Sequence, residues 1–122
     1  MPSLRTDKLS WFQLANRSIL RDEPGYLVNT DDWDEEVCRI IAAEEEIVLN
    51  DDHWAIVHFM RAFQEQRGIS PDARFVFSFL AEQKQLSKKE ARDLFFELFP
   101  YGYVQQACKI AGMLQPRAWS TG

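Results

Sequence analysis

The two cysteines of this chain, Cys38 and Cys108, carry the side chains best suited to covalent chemistry. A cysteine thiolate accepts sulfur and attacks disulfides, and it forms more readily as the pKa of the thiol falls. Val104, Ala107, Cys108 and Ala111 follow the i, i+3, i+4, i+7 spacing of one helix face, so we expect Cys108 on the apolar face of the last helix. This position is close to the predicted helix C-terminus, where the helix dipole disfavours a thiolate.

Two interpretations of Cys108 stay open. It is a small core residue, since free cysteine is among the most buried residue types, or it is a site that accepts sulfur. In the second case the neighbouring Lys109 would favour the thiolate. Cys38 lies between Val37 and Arg39 in the first predicted helix, and we expect it in the core. Two cysteines in such a chain fit a reducing compartment better than a disulfide scaffold.

The histidines invite a metal hypothesis, which their spacing disfavours. His53 and His58 are five residues apart, so on a helix they lie about 140° apart around the axis, whereas metal-binding pairs share one face. We expect His53 to cap or pack at a helix start, and we expect no metal site. The sequence has no glycine-rich phosphate loop, nucleophile elbow or CxxC motif, which disfavours a generic acid–base enzyme and a bound cofactor.

The overall composition is that of a globular protein. Hydrophobic residues make up 46% and charged residues 27% of the 122 residues, which predicts one domain over residues 1–122. No apolar run approaches the roughly 20 residues that span a bilayer, and the N-terminus lacks the pattern of a signal peptide. We therefore expect a cytoplasmic protein without a membrane partner.

Charge is unevenly distributed along the chain. The net charge is −5; residues 29–60 hold ten acidic residues and one basic residue, and residues 61–122 hold nine basic and six acidic ones. A nucleic-acid-binding protein has a stronger basic excess, so nucleic acid is not an expected partner. The division predicts one acidic and one mildly basic surface, and the run Glu44-Glu45-Glu46 is expected to be a solvated helix end.

The pattern along the chain predicts a mainly α protein: a compact bundle of about five helices with a small N-terminal β-hairpin and a flexible C-terminal arm. The hairpin is predicted around a turn at Asp22–Gly25, between strands at Ser18–Leu20 and Tyr26–Val28. Helices are predicted to begin at 29–32, Asn50, Ser70-Pro71, Ser87 and about Tyr103. The core is expected to contain Trp33, Ile40, Trp54, Val57, Met60, Phe75, Phe79, Leu94 and Phe95.

The two termini are expected to differ from the helical body. Residues 1–15 form an N-terminal extension, and residues 113–122 form an arm with no helical or strand period. The arm offers candidate contacts to a partner protein, because its apolar and cationic side chains have no local reason to be buried. Together with Lys109, the candidate contact residues are Met113, Leu114, Pro116, Arg117 and Trp119.

Several segments in order give this chain a resemblance to the family of small sulfur-relay proteins that includes DsrC, the gamma-type subunit of dissimilatory sulfite reductase, and TusE. The resemblance extends from about residue 16 to 118. The strongest segment is residues 106–112, with Cys108 at its centre. The others are Gly25-Tyr26-Leu27, Trp33, Leu49 to Trp54, Arg61, Ile69-Ser70-Pro71, Arg74 and Leu98-Phe99-Pro100.

The resemblance implies a helical fold with a small hairpin and a mobile C-terminal arm that delivers sulfur to sulfite reductase or sulfur-transfer proteins. In the family, a cysteine next to the chain end carries the sulfur, and DsrC-type members have a second cysteine eleven residues upstream, where this chain has Cys108. Here the position eleven residues after Cys108 holds Trp119, which cannot carry sulfur. Whether the chain is an enzyme therefore stays open.

Three functional hypotheses follow. The first is a non-catalytic partner-binding or regulatory protein that docks on sulfite reductase or sulfur-relay proteins. The second is a sulfurtransferase or sulfur carrier that uses Cys108 alone, including a relay of the type that thiolates transfer RNA. The third is a DNA-binding regulator, because the two helices joined by the Gly68 turn are compatible with a helix-turn-helix that would present Arg74 to nucleic acid.

Overall fold

The computed structural model describes residues 9–114 and confirms the predicted fold class. Two strands, β1 (Ser10–Gln13) and β2 (Ser18–Arg21), precede four helices, α1 (Glu35–Glu44), α2 (Asp51–Arg67), α3 (Ala73–Lys84) and α4 (Lys88–Leu98). A π-helical turn, Tyr103–Ala107, then leads into the short helix α5, Cys108–Ile110. None of the helices within residues 9–114 is long and apolar enough to cross a membrane.

The hairpin forms one strand earlier than the sequence predicted. β2 pairs with β1 in antiparallel register, with Trp11 opposite Leu20, whereas only an isolated bridge joins Arg21 to Leu27 across the predicted turn. The turn itself is present, and the Asp22 carboxylate accepts hydrogen bonds from the amides of Gly25 and Tyr26 at 3.0 and 2.8 Å. The strand beyond it is missing because the chain continues past Leu27 into the short 3-10 turn Thr30–Asp32.

Three helices begin at a side-chain cap, two of them at the predicted residue. The Asn50 side chain accepts from the amides of Asp52 and His53 at the start of α2, and Ser87 and Glu90 form a reciprocal capping box at the start of α4. At α1 the structure moves the start: residues 30–32 form the 3-10 turn, and Asp34 caps the helix by accepting from the Val37 amide at 3.0 Å. Short-range capping thus fixes these three helices.

The predicted start of α3 at Ser70-Pro71 is wrong. The helix begins at Ala73 after Asp72, whose side chain makes no capping bond. The Ser70 hydroxyl instead contacts the Met113 sulfur at 3.1 Å, and the Pro71 carbonyl accepts a hydrogen bond from the Tyr103 hydroxyl. Contacts to the distant C-terminal segment therefore hold these residues outside the helix.

The core lies between the hairpin and the helices, and eight of its nine predicted members lie in it or pack against it. Val57, Met60 and Phe95 are fully buried. The prediction for Phe75 is wrong, because this residue is 45% exposed. Its ring lies 5.3 Å from the ring of Phe63, between centroids. The remaining predicted residues are partly buried and pack against the core: Trp33, Ile40, Trp54, Phe79 and Leu94.

Candidate functional site

Cys108 closes the π-helical turn at the end of the chain's helical body. Its backbone amide donates to the Tyr103 carbonyl, five residues earlier, instead of to the residue four earlier as in an α-helix. π-Helical turns are rare in proteins, and many of those that occur lie at functional sites. The segment around Cys108 therefore has a local geometry that its helical spacing did not predict.

The Cys108 thiol is buried, as its position on the apolar face predicted. Its residue exposes 1% of its surface, and burial raises the pKa of the thiol to about 12. A hydrogen bond with the Tyr103 side chain acts in the opposite direction, because a hydroxyl stabilises the thiolate. Burial and the neighbouring thiol also raise the pKa of Tyr103. At neutral pH Cys108 is thus a protonated thiol beside a protonated phenol.

Lys109, next to Cys108, forms an ion pair with the acidic residue that caps the C-terminus of α1. Its ammonium group lies 3.1 Å from the Glu45 carboxylate, which also accepts from the Gln106 amide at 3.2 Å. The expectation that residues 44–46 form a solvated helix end is therefore wrong for Glu45, which is partly buried, and holds for the exposed Glu44 and Glu46. Glu44 makes a bidentate pair with the buried Arg21, at 2.8 and 2.9 Å, because a buried guanidinium requires a partner.

The carbonyl groups at the end of α5 are bound by side chains from distant parts of the chain. The Trp33 indole donates to the Ile110 carbonyl at 2.9 Å, and the Thr30 hydroxyl donates to the Gly112 carbonyl at 2.7 Å. Arg61 donates to the Ala111 carbonyl at 3.2 Å. The last carbonyls of a helix have no intrahelical donors, so these bonds satisfy groups that burial would otherwise leave unpaired. We call Thr30, Trp33 and Arg61 the C-terminal clamp.

Arg61 holds the C-terminal clamp together. Its guanidinium also donates to the Thr30 hydroxyl at 2.8 Å and to the Thr30 carbonyl at 3.1 Å, and it lies over the Trp33 ring at 4.6 Å from the centroid. Burial lowers the pKa of Arg61, although guanidinium groups remain charged in proteins. Sequence reasoning missed this role. The available signal was a cation one residue after Met60, within the apolar stripe of α2.

The last residues described continue from the clamp. Gly112, with φ of +75°, and Met113 complete a Schellman turn, in which the Met113 amide donates to the Cys108 carbonyl at 2.9 Å. Met113 is fully buried, whereas Leu114 is 51% exposed. The other predicted arm residues, Pro116, Arg117 and Trp119, lie outside the described residues. Among the predicted site residues, the structure thus brings Cys108, Lys109 and Met113 together.

The two histidines face different partners. The His53 Nδ1 atom accepts from the Asn50 amide at 3.0 Å and its Nε2 atom donates to the Leu98 carbonyl at 2.8 Å, which completes the predicted cap with a neutral imidazole. Burial lowers the pKa of His53. His58 stacks on Trp54 and faces Glu35 at 3.3 Å. Within residues 9–114 no three potential ligands form a metal-binding group.

Arg74, the candidate nucleic-acid contact, lies in the first turn of α3. Its side chain is 81% exposed and forms an ion pair with Asp72 at 3.4 Å. Residues 68–72 connect α2 to α3. A role for Arg74 in nucleic-acid contact stays a prediction, because an exposed cation at a helix start is compatible with many surfaces.

The chain is similar to named sulfurtransferases along most of its length. The Sulfurtransferase TusE of Photorhabdus laumondii is 37% identical over 100 residues, which cover 82% of this chain and 89% of the relative. The Sulfurtransferase TusE of Sodalis glossinidius is 41% identical over 98 residues, which cover 80% and 90%. The family model described as DsrC like protein matches residues 13–118.

Solved structures agree with the sequence matches. The oxidized gamma-subunit of dissimilatory sulfite reductase (DsrC) from Archaeoglobus fulgidus superimposes with a TM-score of 0.78 at 25% identity, covering 89% of this chain and 98% of that one. DsrC of Allochromatium vinosum gives a TM-score of 0.77 at 30% identity, covering 90% and 97%. The chain belongs to the DsrC/TusE family of sulfur-relay proteins.

Proposed function

We propose that this protein is a sulfur carrier of the sulfurtransferase type and that Cys108 accepts the sulfur. The observation that carries the proposal is the position of Cys108 at the end of the π-helical turn, beside the Tyr103 side chain, in a chain whose relatives are named sulfurtransferases. Cys38, the other cysteine of the sequence, lies in the ordinary α-helix α1. Cys108 is thus the better candidate of the two.

The proposed reaction is a transfer of sulfane sulfur between thiols. The Cys108 thiolate attacks the terminal sulfur of a persulfide on a donor protein, the donor's sulfur–sulfur bond breaks, and the donor thiolate leaves with the electron pair. Cys108 then carries the persulfide, and its former proton is available to the donor thiolate. No net oxidation or reduction occurs. The Tyr103 hydroxyl would stabilise the attacking thiolate by turning its proton from the Pro71 carbonyl to the sulfur.

In the proposed cycle, the partner also makes Cys108 accessible. A thiol with 1% exposure and a pKa of about 12 has little thiolate at neutral pH. The clamp holds the end of α5, and Met113 is buried beside it. A donor protein that displaces this segment would expose Cys108 at the moment of transfer.

Mass spectrometry after incubation with a persulfide-bearing donor tests this proposal. Sulfur transfer adds about 32 Da, the mass of one sulfur atom, to the peptide that contains Cys108. Cys108→Ser should abolish the adduct, and the matched variant Cys38→Ser should retain it. Absence of the adduct on the wild-type chain, under conditions in which the donor loads a TusE relative, would contradict the proposal.

A second candidate function is docking on sulfur-metabolism proteins without carrying sulfur. It is favoured by the burial of both thiols, since burial also raises the pKa of Cys38 to about 12, and by Trp119 at the position where the family's terminal cysteine is expected. Trp119→Ala should then reduce capture of a sulfite reductase or sulfur-relay protein, and Cys108→Ser should not. Equal capture by wild type and Trp119→Ala would contradict an anchoring role for Trp119.

The relatives reported above are described as sulfurtransferases or sulfite reductase proteins, and none is described as a DNA-binding protein. They therefore lend no support to the helix-turn-helix interpretation. The net charge of −5 also disfavours a nucleic-acid partner. The partners that the family supports are proteins of sulfur metabolism.

A further inference from the structure

A surface cleft of about 330 Å³ lies between α3 and α4. Four of the six residues that line it are cationic, in a chain whose net charge is −5. The lining residues are Arg74, Phe77, Ser78, Lys88, Lys89 and Arg92. We refer to this feature as the cationic cleft, and neither the fold nor the proposed sulfur chemistry accounts for it.

The cations of the cleft are available to a partner. Arg74 and Lys89 are 81% and 84% exposed, and their ion pairs with Asp72 and Asp93 are surface pairs of the kind that water and other carboxylates readily replace. Within the described part of the chain, Lys88 and Arg92 form no ion pair with a carboxylate. Two cations are thus unpaired and two are only weakly paired.

Phe77 contributes an aromatic side chain to the cleft, and Arg92 lies near its ring. The Arg92 guanidinium lies 5.5 Å from the ring centroids of both Phe77 and Phe96. The guanidinium forms no ion pair with a carboxylate of the described residues, so its N–H groups can donate two parallel hydrogen bonds to a carboxylate of a partner. Because the guanidinium occupies this position on Phe77, the ring is a poor platform for stacking a nucleobase. The cleft instead offers an apolar pocket with a cationic rim.

We propose that the cationic cleft docks an acidic segment of a partner protein, one with carboxylates on both sides of an apolar side chain. The apolar side chain would enter the pocket and the carboxylates would pair with the rim, the arrangement typical of protein interfaces with a central anchor. The cations converge on a pocket of side-chain size and do not form the extended stripe that follows a nucleic-acid backbone.

This surface is separate from the candidate sulfur site. Phe95 packs between them, with ring centroids 5.1 Å from Phe77 and 6.4 Å from Tyr103, and Tyr103 is the residue that contacts Cys108. Docking at the cleft would therefore hold a partner without covering Cys108. The inference goes beyond the proposed sulfur transfer, and it would stand even if Cys108 carried no sulfur.

A fluorescence-anisotropy titration with the full chain tests the proposal. The probe is a labelled synthetic peptide with glutamates on both sides of a single phenylalanine. A matched peptide with glutamines controls for charge, and a labelled oligouridine tests for nucleic acid. We expect the glutamate peptide to bind at low ionic strength and to weaken as salt is added. Tighter, cleft-dependent binding of oligouridine than of the peptide would overturn the proposal.

Two variants localise the binding. Arg74→Glu/Lys88→Glu reverses two rim charges and should lower the affinity for the glutamate peptide by about tenfold or more. Both residues lie in the first turns of their helices, where glutamate is favourable, so the fold is retained. Ser78→Trp fills the pocket without changing its charge and should also weaken binding.

The matched control is Arg39→Glu/Arg67→Glu, which changes the net charge equally outside the cleft. It should change the peptide affinity by no more than about twofold, since charges far from the cleft act on the peptide only at long range, where salt screens them. Circular dichroism checks that each variant is folded. Equal loss of affinity in the control and the cleft variant, or unchanged affinity in Ser78→Trp, would overturn the assignment of the site.

Discussion

The C-terminal ends of α2 and α5 have the same backbone geometry but differ in the atoms packed around their glycines. Gly68 has φ of +76° and Gly112 has φ of +75°, the left-handed conformation that ends many helices. A β-carbon on Gly68 would meet no atom within 4 Å, whereas one on Gly112 would lie 2.5 to 2.7 Å from three atoms of Trp33. Gly68 only ends its helix. Gly112 ends its helix and also packs against Trp33, and we call this contact region, Cys108 to Met113 with the C-terminal clamp, the joint.

The difference matters because Cys108 lies within the second helix end. Its carbonyl accepts the Met113 amide in the same turn that Gly112 makes possible. The clamp residues Thr30 and Arg61 bind the following carbonyls from positions 82 and 50 residues away in the sequence. A partner that loosens this joint would therefore change the exposure of the candidate sulfur site, whereas loosening the end of α2 would not.

Replacement of the two glycines by alanine tests the comparison most strongly. Gly112→Ala should lower the free energy of unfolding by about 4 kcal/mol, because a left-handed alanine and a severe clash with Trp33 add together. Gly68→Ala should cost only about 1 kcal/mol, since the strain of the backbone remains and the space is open. Urea unfolding followed by circular dichroism measures both. Similar losses of stability in the two variants would show that the contact between Gly112 and Trp33 does not contribute.

Alkylation of Cys108 should be slow in the native protein. A pKa of about 12 leaves so little thiolate at neutral pH that labelling should be at least about 100-fold slower than in urea. Iodoacetamide labelling followed by peptide mass spectrometry gives the rate. Cys38 is the internal reference, because burial raises its thiol pKa to a similar value. Rapid native labelling of Cys108 alone would mean that the joint opens without a partner.

Removal of the Arg61 guanidinium should destabilise the protein less than Gly112→Ala does. Arg61→Met keeps an unbranched apolar stem but removes three hydrogen bonds, and it should lower the free energy of unfolding by about 2 kcal/mol. It should also speed the labelling of Cys108 relative to Cys38. The control Arg67→Met, at the end of α2, should change stability by about 0.5 kcal/mol or less. Equal acceleration at both cysteines would indicate global unfolding instead of local release.

His53, at the start of α2, should make the stability of the protein depend on pH. We expect this effect to be smaller than those of the substitutions above. Burial lowers the pKa of His53 below its usual value of about 6.5, so protons bind the unfolded chain more tightly than the native one. The contribution of neutral His53 is complete above that usual value and decreases as the pH falls toward the lower native pKa. Urea unfolding at pH 7.5 and 5.5 should therefore show less stability at the lower pH.

His53→Gln tests the assignment, because glutamine can still accept the Asn50 amide but does not titrate. It should cost about 1 kcal/mol at pH 7.5 through loss of the bond to the Leu98 carbonyl, and it should reduce the pH dependence. His58→Gln, at the half-exposed histidine of the same helix, is the control and should retain the pH dependence. If both variants behave alike, His53 is not the titrating group.

Sequence alone predicted the features that depend on neighbours within one helical turn. The caps at Asn50 and Ser87 and the buried face of Cys108 all follow from spacings of three or four residues. Such signals are reliable because the partner groups are close along the chain whatever the tertiary fold. The family also followed from the sequence, because its segments occur in order.

Tertiary structure alone decided the features whose partners are distant. The pairing of β1 with β2, the late start of α3, and the bond between Lys109 and Glu45, 64 residues apart, were not predicted. The C-terminal clamp belongs to the same class. A carboxylate or indole has no local pattern that names its partner, because only the packed chain brings the two groups within hydrogen-bonding distance and excludes the water that would otherwise satisfy them.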